Sequence, residues 1–163
     1  MKKRKFLKTS LAAASTAFIP KSLIAMGKSE DKLRTAHIGV GGMGAADLKS
    51  IASHPEVIVV GICDVDSEAI FKAALDYPDA KTFKDYRVML KEMKSEIDAV
   101  IISTPDHTHA PASIMAMEME KPVYCQKPLA HHVSEVRAMR KIAQEKNLVT
   151  QMGIQVHSFY DYK

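Results

Sequence analysis

The chain has 163 residues, 47% of them apolar and 26% charged, a balance that fits one ordinary globular domain and excludes a low-complexity or disordered chain. Its formal charge of +4 is unevenly placed. Residues 1–28 hold Lys2, Lys3, Arg4, Lys5, Lys8, Lys21 and Lys28 and no acid, which leaves 16 basic against 19 acidic residues, a net of −3, for the remainder. A slightly acidic globular part argues against a nucleic-acid partner, which calls for a basic face on the folded domain.

The first segment, "MKKRKFLKTSLAAASTAFIPKSLIAMG", has a basic start and a modest apolar stretch from Leu11 to Pro20, the layout of an export signal. The stretch is too short for a membrane span. "KRKFLK", Lys3 to Lys8, resembles the twin-arginine export motif with Lys3 in place of the first arginine. Ala25 is a candidate cleavage position, although Leu23 before it is not small. The reading is a periplasmic or exported protein with residues 1–28 as its signal. The alternative is a basic tail on a cytoplasmic protein.

Beyond a polar linker, strands and helices alternate. "TAHIGV" (35–40) predicts a strand. Residues 42–54 predict a helix with Ala45, Leu48 and Ala52 on one face. "VIVVGIC" (57–63) is an unbroken apolar run, as in a strand buried on both faces of a parallel sheet. Residues 66–77 predict a helix capped by Asp66, with Ile70, Phe71, Ala74 and Leu75 inward. "KTF" is a short strand, and residues 85–93 a helix capped by Asp85. "IDAVIIST" (97–104) is a further strand, followed by a helix with Pro111 in its first turn. "PVYC" (122–125), a helix over 134–147 and "LVTQMG" (148–153) complete the series. Met115, Met117 and Met119 read as helix packing rather than a metal strip. The alternation predicts an α/β fold, a Rossmann-type doubly wound parallel sheet with right-handed crossovers.

"HIGVGGMGAAD" places Gly39, Gly41 and Gly44 in G-x-G-x-x-G spacing between a predicted strand and a predicted helix. Gly39 allows the tight turn, Gly41 a close backbone approach to a pyrophosphate, and Gly44 close packing of helix on strand. The helix start then offers N–H groups and a positive dipole end to the phosphates. Asp64, twenty residues after Gly44, ends the second strand. A carboxylate there accepts hydrogen bonds from the adenosine ribose and repels a 2′-phosphate, so NAD is expected over NADP.

Two cysteines, Cys63 and Cys125, fall on the second and fifth strands. In the strand order 3-2-1-4-5-6 these lie roughly 14 Å apart, beyond the ~7 Å reach of a disulfide. Both are expected to be buried free thiols.

In such sheets ligands bind beyond the carboxyl ends of the strands. The glycine loop, "STPDHTHAP" and "CQKPLAHH" therefore converge, and with them Ser103, Thr104, Asp106, His107, His109 and Lys127. Taken together, "IGVGGMG", "CDVD", "TPDHTHA", "VYCQKPL" and "TQMGIQVH" resemble, in order and spacing, the glucose–fructose oxidoreductase / inositol dehydrogenase (Gfo/Idh/MocA) family over residues 34–157. The resemblance implies that Gly39, Gly41, Gly42, Met43 and Gly44 hold the pyrophosphate and Asp64 the adenosine ribose. It places Thr104, Pro105 and His109 along the nicotinamide ribose. It makes Lys127 the lysine of the family's Glu-Lys-Pro motif, a proton donor and acceptor beside nicotinamide and substrate hydroxyl, with a cis bond to Pro128. The motif's glutamate is Gln126 here, expected to bond the cofactor or to orient Lys127.

Family members pair this domain with a larger C-terminal α/β domain that supplies oligomer contacts and most of the substrate pocket. The chain ends at "QVHSFYDYK". The expected organisation is thus a nucleotide-binding domain over 33–153 and a truncated start of the second domain over 154–163. The resemblance implies hydride transfer between nicotinamide and a sugar or polyol hydroxyl, and homo-oligomers at full length. Whether this chain is itself an enzyme stays open. A redox-assisted glycoside hydrolase or lyase, and a non-catalytic NAD-binding module, are the alternatives. His107, His109, His131 and His132 lack the three or four ligands that zinc wants, so no metal site is expected.

Overall fold

The computed structural model describes residues 32–158. The expected export signal and residues 159–163 lie outside them. The elements are β1 (Leu33–Ile38), α1 (Met43–Ala52), β2 (Val57–Cys63), α2 (Ser67–Asp76), β3 (Lys81–Phe83), α3 (Tyr86–Glu92), β4 (Ala99–Ile102), α4 (His109–Glu118), β5 (Val123–Gln126), α5 (Val133–Glu145) and β6 (Thr150–Gly153). Short 3₁₀ turns occupy Asp106–Thr108 and Gln155–Ser158.

The six strands form one parallel sheet in the order β3-β2-β1-β4-β5-β6, as the alternation predicts. The order in which strands are added reverses between the parallel neighbours β1 and β4, so the helices divide between two faces. Ala36, Ile38, Val100, Ile102, Val123 and Cys125 form one core with Met89, Leu90, Met93, Ala112, Ala116, Met117 and Met139 from α3, α4 and α5. Met115 and Met119 pack against it, as core methionines. Val40, Val59 and Ile62 form the second core with Leu48 of α1 and Ala69 and Ala73 of α2.

Two predicted helix faces are corrected. Phe71 and Leu75 were expected inward but are 65% and 67% exposed. The α2 helix meets the sheet through Ala69 and Ala73, whose small side chains allow close approach, and this turns the Phe71–Leu75 stripe to water. Ala45 is likewise exposed, because α1 presents Gly44, Asp47 and Leu48 to the sheet. The predicted buried run of β2 is buried only in part, with Ile58 43% exposed at its start.

The helix boundaries follow local chemistry. Asp66 accepts the Glu68 N–H at 2.8 Å and Asp85 accepts the Arg87 N–H at 2.9 Å, the two N-caps expected. The Arg87 guanidinium beside Asp85 holds that carboxyl down at about 2. At the other ends, α4 and α5 stop alike. Glu120 (φ 63°) and Asn147 (φ 51°) take the left-handed conformation. The Lys121 N–H then returns to the Ala116 carbonyl at 3.0 Å and the Leu148 N–H to the Ala143 carbonyl at 2.9 Å.

Cys63 and Cys125 are free and buried, with β1 and β4 between their strands. Burial, reinforced by Asp64 and Asp85, pushes the Cys63 thiol up to about 12, and burial pushes Cys125 up to about 11. Among the described residues no helix is long and apolar enough to cross a membrane.

Candidate dinucleotide site

The carboxyl ends of β1, β4 and β5 lie side by side, so the three segments singled out in the sequence meet at one edge of the sheet. The first is the glycine loop. Gly39 has φ 83°, and a Cβ there would stand 2.7 Å from the Ser103 carbonyl carbon and oxygen. A Cβ on Gly44 would run into the Gly39 carbonyl oxygen, and lie 2.8 Å from its carbon. These two glycines let α1, β1 and the segment after β4 touch backbone to backbone. Gly42 differs. It has φ 51°, and a Cβ would meet nothing within 4 Å. Open room thus lies beside the start of α1, whose first N–H groups have no partners within the helix. Gly41, Gly42 and Met43 are exposed around it.

Asp64 follows β2 and is half-buried. Its Oδ2 accepts the Val40 N–H at 2.8 Å and its Oδ1 the Asp66 N–H at 3.0 Å. It is therefore tied to the glycine loop as well as placed beside it. A cleft of about 390 Å³ opens between the loop, α1 and α2, lined by Gly41, Gly42, Ala45, Asp66, Lys72 and Tyr77 among others. Room over Gly42, a helix start and an adjoining carboxylate fit a dinucleotide.

The second and third segments are joined by His109, which is 1% exposed. Its Nδ1 lies 2.6 Å from the Pro128 carbonyl oxygen and its Nε2 2.6 Å from the Thr104 carbonyl oxygen. Both partners are carbonyl acceptors, and the ring tautomer sets which contact carries the N–H. His109 was expected along the nicotinamide ribose. Its ring lies between the loops after β4 and β5, with Thr104 half-buried and Pro105 exposed at the edge. The Thr104 hydroxyl oxygen is buried without a hydrogen-bond partner.

Gln126 ends β5 and is 4% exposed. Its Nε2 donates to both oxygens of Asp47, at 2.9 and 3.1 Å, and its Oε1 accepts the Lys127 N–H at 2.9 Å. Gln126 thus contacts Lys127 through that residue's backbone. The Lys127–Pro128 bond is cis and the Lys127 side chain is exposed.

Asp47 was missed in the sequence. It is 7% exposed on α1, and besides Gln126 it accepts the Ser103 hydroxyl at 2.6 Å. Burial and then the Asp47 charge push the Tyr124 hydroxyl above its usual value. The available signal was an acid three residues after Gly44, on a helix face that also carries Leu48.

His107, His131, His132 and His157 stay at the surface. His131 and His132 stack edge to face with centroids 4.6 Å apart, and the His132 N–H donates to Glu135 at the start of α5. His107 lies 3.9 Å from Asp106, and His157 is exposed in the turn after β6. Among the described residues no three His, Cys, Asp or Glu side chains gather as a metal site requires.

Residues 33–154 match the family model described as "Oxidoreductase family, NAD-binding Rossmann fold", GFO/IDH/MocA. The chain belongs to the Gfo/Idh/MocA family. It comprises the NAD-binding Rossmann domain of these oxidoreductases. It is 34% identical over 137 residues to a glycosyl hydrolase family 109 protein of Stenotrophomonas maltophilia, covering 77% of this chain and 29% of that one. It is 30% identical over 108 residues to an inositol 2-dehydrogenase of Rubrobacter xylanophilus, covering 66% and 30%. Among solved Gfo/Idh/MocA-like folds, the myo-inositol 2-dehydrogenase of Lactobacillus plantarum superposes with a TM-score of 0.75 at 28% identity, over 81% of this chain and 39% of that one. The chain spans about a third of the length of the curated relatives it matches.

Proposed function

We propose that residues 33–153 hold NAD for a reaction that moves a hydride between nicotinamide and a sugar or polyol hydroxyl in a longer protein. The observation that carries this is the meeting of the glycine loop, Thr104–Pro105 and Lys127 at the adjoining ends of β1, β4 and β5. When bound, NAD supplies hydride acceptance and return at its C4 position. The chain supplies binding, orientation and proton handling. Gly39, Gly41, Gly42, Met43 and Gly44 hold the pyrophosphate against the start of α1. Asp64 accepts from the adenosine ribose hydroxyls, and its charge disfavours a 2′-phosphate, so NAD is the cofactor rather than NADP. Lys127 takes the hydroxyl proton in oxidation and returns it in reduction.

The test is fluorescence titration of the purified chain with NADH and with NADPH. Saturable binding, tighter for NADH, is expected. Absence of NADH binding sinks the reading, and tighter NADPH binding reverses the cofactor assignment. In a full-length form, Lys127→Ala should lower kcat by about a hundredfold or more. An unchanged kcat with altered KM would remove Lys127 from the proton transfer.

The likeness to glycosyl hydrolase family 109 proteins favours a second reading, glycoside cleavage in which the cofactor ends in the state in which it began. Release of sugar without accumulation of NADH separates it from net oxidation. The basic segment 1–28 supports export, and fractionation of a tagged chain tests this.

A further inference from the structure

Asp47 joins three segments that are far apart in sequence. Its carboxylate reaches Ser103 after β4 at 2.6 Å and Gln126 at the end of β5 at 2.9 and 3.1 Å, while its own backbone belongs to the phosphate-binding helix α1. Both partners donate to it, as a buried carboxylate requires. Gln126 carries the connection one step further, because its other amide atom, Oε1, accepts the Lys127 N–H at 2.9 Å.

An amide suits this place by its two-sidedness. It gives N–H groups to the acid on one side and accepts a backbone N–H on the other. The glutamate of the related Glu-Lys-Pro motif would instead set a second carboxylate oxygen about 3 Å from Asp47. Two buried carboxylates at that distance oppose each other strongly, and one is driven out of place or out of its charged form.

We propose that Asp47 is a positioning residue: it acts through Gln126 on the backbone of Lys127, and the carboxylate at 47 is what makes glutamine the working residue at 126. Its catalytic meaning rests on the reading of Lys127 given above, whereas the coupling itself does not. The pair is also exchangeable. In Asp47→Asn/Gln126→Glu, the new asparagine oxygen accepts from Ser103 and its amide donates to the new glutamate. The glutamate's second oxygen accepts the Lys127 N–H. Each of these hydrogen bonds has a counterpart, with acid and amide interchanged.

The experiment is amide hydrogen exchange on the ¹⁵N-labelled chain, with NADH titration of the same samples. In Gln126→Glu, exchange at Lys127 should rise by about tenfold or more, while Val100 and Ile102 in the sheet stay within about twofold of wild type. The double exchange should return Lys127 to within about threefold of wild type. A smaller rise at Lys127, an equal rise across the sheet, or a double variant no better protected than the single one overturns the proposal. If Gln126→Glu does not fold, soluble yield and thermal melting are read instead. Folding of the double variant then supports the proposal, and failure of both overturns it. Failure of wild type to bind NADH removes the proposed function but leaves the exchange comparison intact.

Discussion

The Asp64 carboxylate binds the Val40 N–H at 2.8 Å, so the residue expected to recognise ribose also fixes the start of the glycine loop. In Asp64→Asn the charge is gone and the amide oxygen still accepts from Val40, while the amide NH2 then faces the Asp66 N–H and that bond is lost. NADPH affinity should improve relative to NADH by about tenfold, which corresponds to ~1.4 kcal/mol. Parallel fluorescence titrations measure the ratio. A ratio unchanged from wild type would show that the charge does not select the cofactor.

The glycines make a second, contrasting pair. Gly44→Ala places a Cβ on the Gly39 backbone, which cannot move without shifting β1, and a loss of about 2–4 kcal/mol is expected in urea unfolding. Gly42→Ala meets no neighbour within 4 Å, but its φ 51° and ψ −117° lie outside the left-handed helical well, and a backbone cost of about 1–3 kcal/mol is expected. It should fold and bind NADH more weakly, because the added methyl enters the room over the loop. Gly42→Ala with full NADH affinity would place the pyrophosphate elsewhere.

His37 gives a pH dependence. It is 1% exposed on β1, with Nε2 3.1 Å from the Thr35 hydroxyl and Nδ1 without a partner. Burial lowers its pKa from the usual 6.5 to about 3. The unfolded chain takes up the proton first on acidification, so stability contributed by the neutral ring is full above about pH 6.5 and is lost as pH falls towards 3. The slope is at most ~1.4 kcal/mol per pH unit. His37→Val should flatten the fall in urea midpoint between about pH 6 and about pH 4.5. An identical fall in the variant would assign it to other groups.

The fold was legible where its causes are local. Asp66 and Asp85 announce helix starts because a cap needs only residues two or three positions on. The glycine spacing and the apolar runs announce the strand order because a right-handed crossover leaves few other arrangements. The facing of α2 was not legible. Its sequence has apolar residues on both sides, and the choice of Ala69 and Ala73 over Phe71 and Leu75 depends on how closely the helix approaches β2. In the site, the loops and Lys127 were visible as motifs. Asp47 was not, since a single acid in a helix carries no pattern, and its partner Gln126 stands 79 positions away. The carbonyl contacts of His109 were not legible either, because backbone carbonyls leave no mark in a sequence.

The matching stops of α4 and α5 act as rulers. Glu120 precedes Val123 by three residues and Asn147 precedes Thr150 by three, and Val123 and Thr150 are paired across β5 and β6. Equal counts after equal stops set Gly153 opposite Gln126. A side chain there would have to displace its neighbours, since a Cβ on Gly153 would stand 2.6 Å from the Tyr124 hydroxyl and 3.0 Å from the Gln126 amide carbon. One residue inserted after Asn147 would slide Met152 into the glycine's place. The length of a surface turn thereby governs whether the side chain beneath Lys127 has space to exist.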